Sequence, residues 1–377
     1  MNAKIKTLTP LVIGGDSSNT ISPYSDYVWD KGQFYYVSSK KLEQFLTREL
    51  TNEWVDKMSQ SINNTRIEYS LKEFLAEHQI PLSEITVRKI ELVENPKRKT
   101  IKRFIATAGR PFIPGSSLKG AVRTAVVYSW FKETAAGRKL LQSIASKVKQ
   151  FKNCNDRNEQ NKIKKQLGGE AIARKIFGMP QQDPFKNIHI GDSETMDATS
   201  LFIAGVYRFN LKTQKTDTPM WTEALPTELE TSCRIKLFPD EQSGSFWQKV
   251  GRWNELCLMI NTFSRASLER EIKQLPEADF SQIVQHYFDM IKKIERLTPG
   301  QAIIRLGQGK TIFDNTFLML IEPDPIFFPL REMLALGKSP KSENISPGKF
   351  PVTRSFIAQN RKPVDALGWI LIQGEMA

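Results

Sequence analysis

Apolar and polar residues alternate over residues 4–13, which predicts a first strand running into Gly14-Gly15-Asp16. A short aromatic strand is expected over 33–37. Leu42, Phe45, Leu46 and Leu50 then make an apolar stripe at helical spacing, predicting a helix over 40–50 and a second over 71–78. Residues 85–93 and 99–107 read as strands joined in a hairpin by Asn95-Pro96. Leu118, Ala121, Val122, Ala125 and Val126 recur at helical spacing and define one buried face of a further helix. After it a helix–loop–helix is expected, with the polar stretch 154–166 as a mobile loop. Strands follow over 187–192, 201–211 and 232–238. Two long helices are expected over 246–263, continuing with a break toward Leu275, and over 280–297. Strands over 302–306, 317–321 and 367–372 complete the chain.

Once insertions are set aside, the elements up to residue 192 run strand, helix, strand, strand, helix, strand. That order describes a ferredoxin-like (RRM-like) unit closing near residue 192. The fold class expected is therefore α+β. Two ferredoxin-like domains with helical insertions divide it at 1–196 and 197–377, a length suited to two cores.

The joint at 110–125, Arg-Pro-Phe-Ile-Pro-Gly-Ser-Ser-Leu-Lys-Gly-Ala-Val-Arg-Thr-Ala, carries the densest candidate chemistry. Pro114-Gly115 forces a turn between a strand end and the helix, and Ser116 or Ser117 is placed to cap it. Backbone N–H groups, hydroxyls and the positive end of the helix dipole would converge there on an anion, with Lys119 and Arg123 on a basic face. A plain serine cap on a core helix accounts for the same residues. Gly120 weakens the helix relative to alanine by about 1 kcal/mol, which close backbone approach would explain.

Charge sharpens this picture. The chain has 54 Lys and Arg against 41 Asp and Glu, a net charge of +13 with a pI near 9.5. Residues 132–175 alone hold twelve basic and four acidic side chains. A polyanion partner is favoured, nucleic acid foremost. Lys97, Arg98, Lys99, Lys102 and Arg103 add a second basic run, readable as a solvated strand edge or as an RNA-backbone contact. Three scattered cysteines, Cys154, Cys233 and Cys257, form no CxxC pair, which argues for a reducing compartment and against a zinc site. No apolar run reaches the roughly 20 residues of a membrane helix. A cytoplasmic protein without membrane partner is expected.

Gly309-Lys310-Thr311 mimics a phosphate loop, but the P-loop pattern needs glycine at position 304, where Ile304 stands. His78, His189 and His286 are isolated, with no pair at metal-ligand spacing. Asp16, Asp26, Asp192 and Glu194 lie near strand ends, and Asp192 reads most simply as a turn or cap residue. No cofactor or metal is expected.

The segment at 110–125 resembles the signature strand–loop–helix junction of the RAMP superfamily, the RNA-binding subunits of CRISPR effector complexes. Leu8-Thr-Pro-Leu-Val-Ile-Gly-Gly-Asp16 is similar to the opening strand of those proteins, with Val12 where their pattern often has histidine. Ile303-Ile-Arg-Leu-Gly-Gln-Gly-Lys-Thr311 resembles the glycine-rich loop of their C-terminal halves, and Gly368-Trp369 their closing strand. The overall layout is most similar to the Csm-type RAMP subunits that cap type III-A complexes. The resemblance implies a non-catalytic subunit that binds the 3′ side of a guide (CRISPR) RNA and supports its maturation. Its partners would be other Csm and RAMP subunits, and host nucleases that trim the RNA 3′ end. The RNA-binding residues expected are Gly14, Gly15, Arg110, Ser116, Ser117, Lys119, Arg123, Gly307, Gly309 and Lys310. The alternative is a metal-independent, Cas6-like endoribonuclease, which shares the basic double-domain layout and the glycine-rich loop. Such an enzyme generally lacks the signature segment.

Overall fold

The computed structural model describes residues 1–15, 19–64, 69–92, 94–239, 244–337 and 350–375. Asp16 lies outside them. Helices and sheets are mixed throughout, as the α+β expectation has it.

The main sheet has five strands in the order Gln301–Arg305, Trp369–Gly374, Asn2–Thr7, Glu230–Leu237 and Ile188–Ser193, each antiparallel to its neighbours. A second sheet orders Lys362–Asp365, Thr353–Gln359, Phe202–Asn210, Met220–Ala224, Ile101–Lys102 and Thr20–Ile21. Both sheets draw strands from either side of residue 196, so the division expected at 196/197 does not separate one sheet from the other. The reason is pairing across the chain: the opening strand lies between Trp369–Gly374 and Glu230–Leu237.

The signature helix, Gly115–Glu133, and the long helix Trp253–Gln274 pack against each other and against this main sheet. Leu118, Ala121, Val122, Ala125 and Val126 are all buried, with Ile5, Ile188, Ile235, Ile304, Leu256 and Ile260 in the same cluster. The face read from the 3.6-residue period is the face in the core. At its far end Thr134 closes this helix and opens the next. Its N–H donates to the Trp130 carbonyl, and its hydroxyl accepts from Gly137 N–H at 2.9 Å.

A separate layer is inserted between the opening segment and the signature. Strands Tyr27–Asp30, Gln33–Val37 and Thr86–Glu91 form a three-stranded sheet with its own core of Leu42, Met58, Leu71, Phe74, Leu75 and Ile85. Here the expected 40–50 helix is broken. A short helix Ser39–Leu42 and a 3-10 turn Glu43–Phe45 precede Thr47, whose hydroxyl caps the real helix Arg48–Asn63.

Several other expectations are corrected. The first strand ends at Thr7, because from Leu8 on the chain leaves the ladder and bonds in turn to Trp369, Leu225, Gln308 and Ile105. Residues 85–93 and 99–107 do not pair as a hairpin. Thr86–Glu91 bonds to Gln33–Val37, while Ile101–Lys102 joins the second sheet. The stretch 154–166 is helical over Arg157–Leu167, since the Asp156 carboxylate caps it and Ile163 and Leu167 anchor it. Residues 317–321 are a 3-10 turn at Leu318–Leu320, and the expected break near residue 263 lies at Gly251 instead.

Candidate nucleic-acid interface

Three segments far apart in sequence meet along one line of irregular backbone. Leu306 N–H donates to the Gly368 carbonyl at 2.7 Å, and Gly368 N–H to the Pro10 carbonyl at 2.9 Å. Gln308 N–H reaches the Val12 carbonyl at 2.8 Å. On the other side Ile105 N–H donates to Ile13 at 2.9 Å, and Gly14 bridges Phe104. Phe112 N–H then returns to the Ile105 carbonyl, and Ser193 N–H to Ile113 at 2.9 Å. The glycine-rich loop, the opening segment and the signature segment thus form one hydrogen-bonded ribbon.

The glycines of this ribbon differ in what they face. Gly307, at φ +62°, would drive a Cβ into the Val12 carbonyl oxygen. Gly309, at φ +101°, would meet Leu367 Cβ at 2.7 Å. Gly368, at φ +87°, would collide with the Leu306 carbonyl. These three are glycine because the ribbon packs on itself. Gly14 and Gly15 are exposed; a Cβ on Gly14 would meet nothing within 4 Å, and one on Gly15 only ordinary contacts to Ile105. Their bare backbone faces outward.

The cations divide in the same way. Arg110 is exposed and follows the two-residue turn Ala108-Gly109, both at positive φ, that joins Ala106–Thr107 to Arg110–Pro111. Lys119, one turn into the signature helix, makes no hydrogen bond or ion pair among the described residues. Arg123 is tied down instead. Its guanidinium lies 3.7 Å from the Phe177 ring centroid and 4.9 Å from that of Phe185, and it pairs with Asp183 at 2.8 Å. It is not free to reach a ligand at the helix start, and reversing its charge is not neutral for the fold.

Lys310 is half-buried. Burial pushes its ammonium below the ordinary range, Asp314 pulls it up, and Arg305 pushes it down further. Beneath it Asp314 accepts from Ser267 Oγ at 2.6 Å and from Thr311 N–H at 2.6 Å, and faces Arg305 at 3.5 Å. Burial alone would raise the Asp314 carboxyl, yet Arg305, the Ser267 hydroxyl and the Thr311 amide hold it below its usual value. The amide that a phosphate loop would offer to its ligand is therefore occupied by this carboxylate.

The helix start also differs from the sequence reading. Pro114, not a serine, is the capping position, and Gly115 is already helical. Gly115 N–H donates to Asp192 Oδ1 at 2.8 Å, and a Cβ there would strike the Ile190 and Gly191 carbonyls. Asp192 is thus the cap residue that its place at a strand end suggested. Ser116 is exposed and Ser117 half-buried, both beside the ribbon through Ile113-Pro114. Gly120 has open space where a Cβ would stand, so no described residue requires glycine there. Gly115 and Gly368 escape a sequence reading because their neighbours come from distant strands.

The histidines are dispersed. His78 stacks on Phe74 near Glu53, His189 meets Phe238, and His286 lies 3.9 Å from Asp365. Glu53, Glu77 and His78 form the one such cluster among the described residues that could hold a metal. Lys57 Nζ already sits between its carboxylates, at 2.6 Å from each. No helix among the described residues is long and apolar enough to cross a membrane.

Comparison with known proteins fits this arrangement. A protein of Methanocaldococcus jannaschii described as CRISPR system Cms protein Csm5 is 24% identical over 98% of this chain and 88% of its own length. A Streptococcus thermophilus protein of the same description is 25% identical over 65% of this chain and 66% of its own. A chain in the cryo-EM structure of a type III-A Csm–crRNA–target RNA ternary complex matches with a TM-score of 0.70. The match has 23% identity and covers 99% of this chain and 100% of that one. The crystal structure of T. onnurineus Csm5 matches at 0.62, with 19% identity, over 97% of this chain and 99% of that one. The sequence pattern of the RAMP superfamily matches residues 4–312, which takes in the opening strand, the signature helix and the glycine-rich loop, and the chain belongs to that superfamily.

Proposed function

We propose that this protein is a non-catalytic RNA-binding subunit of a type III-A CRISPR effector complex. It binds the 3′ side of the guide RNA, caps the backbone filament of RAMP subunits and supports guide-RNA maturation. The observation that carries the reading is the ribbon. Three separate segments are joined into one surface whose outward side offers bare backbone at Gly14 and Gly15, the exposed guanidinium of Arg110, and the ammonium of Lys119, which has no hydrogen bond or ion pair among the described residues. Such a surface suits a phosphodiester backbone, to which a small side-chain profile and positive charge both matter. The net charge of +13 acts in the same direction. The Csm proteins it is similar to, one of them within a complex holding crRNA, support the choice of RNA and of neighbouring Csm subunits as partners.

We read the strands Trp369–Gly374, Asn2–Thr7, Glu230–Leu237 and Ile188–Ser193 as a ferredoxin-like unit. Ser116, Ser117 and Lys119 border its exposed backbone, while Gly307, Gly309 and Lys310 brace it from beneath. Arg123 acts at one remove, by fixing the helix. Host nucleases that trim the RNA 3′ end would act on what this subunit leaves uncovered.

The test is binding of single-stranded RNA by the purified protein across a salt series. Each phosphate neutralised contributes a slope of roughly −0.7 in log K against log[salt]. An affinity indifferent to salt sinks the proposal. Incubating repeat RNA with the protein in EDTA addresses the Cas6-like alternative: intact RNA is expected. Cleavage lost on changing one histidine promotes the enzyme.

A further inference from the structure

The ribbon is continued by a basic stretch that leads to a cleft in the inserted layer. Lys99 to Arg103 runs directly into Phe104, which bridges Gly14, and the five steps from Lys99 to Phe104 span no more than about 18 Å. Lys97, Lys99 and Lys102 are exposed along this run. Their ammonium groups make no hydrogen bond or ion pair among the described residues.

At the far end Pro96 to Lys99 is a tight turn closed by Lys99 N–H on the Pro96 carbonyl at 3.0 Å. Its two central residues are Lys97 at φ +49° and Arg98 at φ +56°. Turns of this kind favour Asn-Gly, so two long cationic side chains here act against local preference. The turn is held from both sides. Asn95 Oδ1 accepts from Lys97 N–H at 2.7 Å, and the Tyr27 hydroxyl donates to the Lys99 carbonyl at 2.8 Å.

The turn forms one wall of a cleft of about 570 Å³ in the inserted layer, lined among others by Tyr27, Trp29, Lys72, Asn95, Lys97 and Arg98. Trp29 is half-buried, and its indole N–H is fixed on the Leu92 carbonyl at 2.8 Å, which sets the ring plane. The acids of the cleft are already engaged. Asp30 pairs with Lys72 at 2.9 Å, and Glu73 accepts from Ser70. Among the described residues, the Lys97 ammonium stands without an acid partner beside a fixed aromatic ring.

We propose that this cleft is a second subsite for single-stranded RNA, in which a nucleobase packs on Trp29 and the flanking phosphates meet Lys97 and Lys99. An aromatic ring beside a cationic track is the combination that holds single strands with little sequence preference. The proposal rests on the RNA-binding reading above and extends the RNA path from the ribbon along the Lys99–Arg103 stretch into the inserted layer.

The experiment compares two RNAs on the full chain, a short one and one longer by several nucleotides. Lys97→Glu with Lys99→Glu is expected to lower affinity for the longer RNA about tenfold and to reduce its salt slope by roughly 1.4, two phosphates at 0.7 each. Affinity for the short RNA and the melting temperature stay unchanged. Ultraviolet crosslinks from the longer RNA, mapped by mass spectrometry, fall on the peptide containing Trp29, and Trp29→Phe retains binding where Trp29→Ala weakens it. If the charge reversal changes neither affinity, or both equally, or if no crosslink reaches that peptide, the second subsite is overturned while RNA binding at the ribbon stands. If the unaltered protein binds neither RNA, the RNA-binding reading itself falls.

Discussion

Gly307 and Gly14 are both ribbon glycines, on either side of Val12 and Ile13, yet they do opposite things. At Gly307 the left-handed backbone and the carbonyl of Val12 leave no room for a side chain, so the residue is fixed by the fold. At Gly14 the backbone is open to solvent and a methyl group would touch nothing. At Gly14 the fold alone would accept a side chain, so its bare backbone is available to the RNA surface proposed above. The same contrast separates Arg123, whose guanidinium lies over the Phe177 ring beside Phe185 and pairs with Asp183, from Lys119, which is half-buried and makes no hydrogen bond or ion pair among the described residues. It separates inner members that the fold itself fixes from outer members that the proposed RNA surface would use.

Substitutions can break this contrast, and the largest effect is expected at the inner glycine. Gly307→Ala should cost more than about 4 kcal/mol, since both backbone conformation and contact forbid it, and thermal melting should show loss of the cooperative transition. A near-normal melt would mean that the ribbon can open at little cost.

Asp314→Asn should be next, at about 3–5 kcal/mol, because it leaves Arg305 buried without its counter-charge. Asp314 has its folded carboxyl held below the ordinary value. Its stabilising contribution is complete above the usual carboxylate range and fades as pH falls through that lowered value. Melting measured across an acid series should therefore converge for wild type and Asp314→Asn at low pH. Curves that stay parallel would argue against the pair as its source.

Arg110→Glu with Lys119→Glu should weaken RNA binding tenfold or more, on the order of 1.4 kcal/mol, with melting unchanged. Arg123→Glu should do the reverse, lowering the melting temperature through the lost ring stacking, which is worth about 1 kcal/mol at a partly exposed site. If both variants act on melting alone, the outward surface is structural. The smallest effect is expected at Gly14→Ala. Stability should move by less than about 1 kcal/mol while RNA affinity falls severalfold, read from the same protein sample by melting and by titration.

The parts of this molecule legible in its sequence are those fixed by local period. The buried face of the signature helix is one, because each apolar side chain reports its own orientation. The ribbon was legible only as three separate suspicions. What joins them is a set of backbone hydrogen bonds, and backbone groups are alike at every residue. Gly115 was misread because its amide partner, Asp192, arrives on a strand far along the chain. The strand Met220–Ala224 was missed for a related reason. Its Glu223 is buried and spoils the apolar pattern, yet it is satisfied by the Tyr36 hydroxyl at 3.1 Å and the Phe104 amide at 3.0 Å. The polar helix Arg157–Leu167 reads as a loop in the sequence because only Ile163 and Leu167 bury.

The pairing of Asn2–Thr7 with Trp369–Gly374 has a consequence for the order of events during synthesis. A growing chain makes Asn2–Thr7 long before Trp369–Gly374, its neighbour at the sheet centre. Pro10 likewise waits for Gly368, and Leu8 for Trp369, before the surface around Gly14 acquires its shape. Contacts of such sequence separation close slowly. A nascent chain that lacks Trp369–Gly374 thus carries the basic stretches without the assembled surface, and the surface proposed for RNA is complete only once that strand has paired.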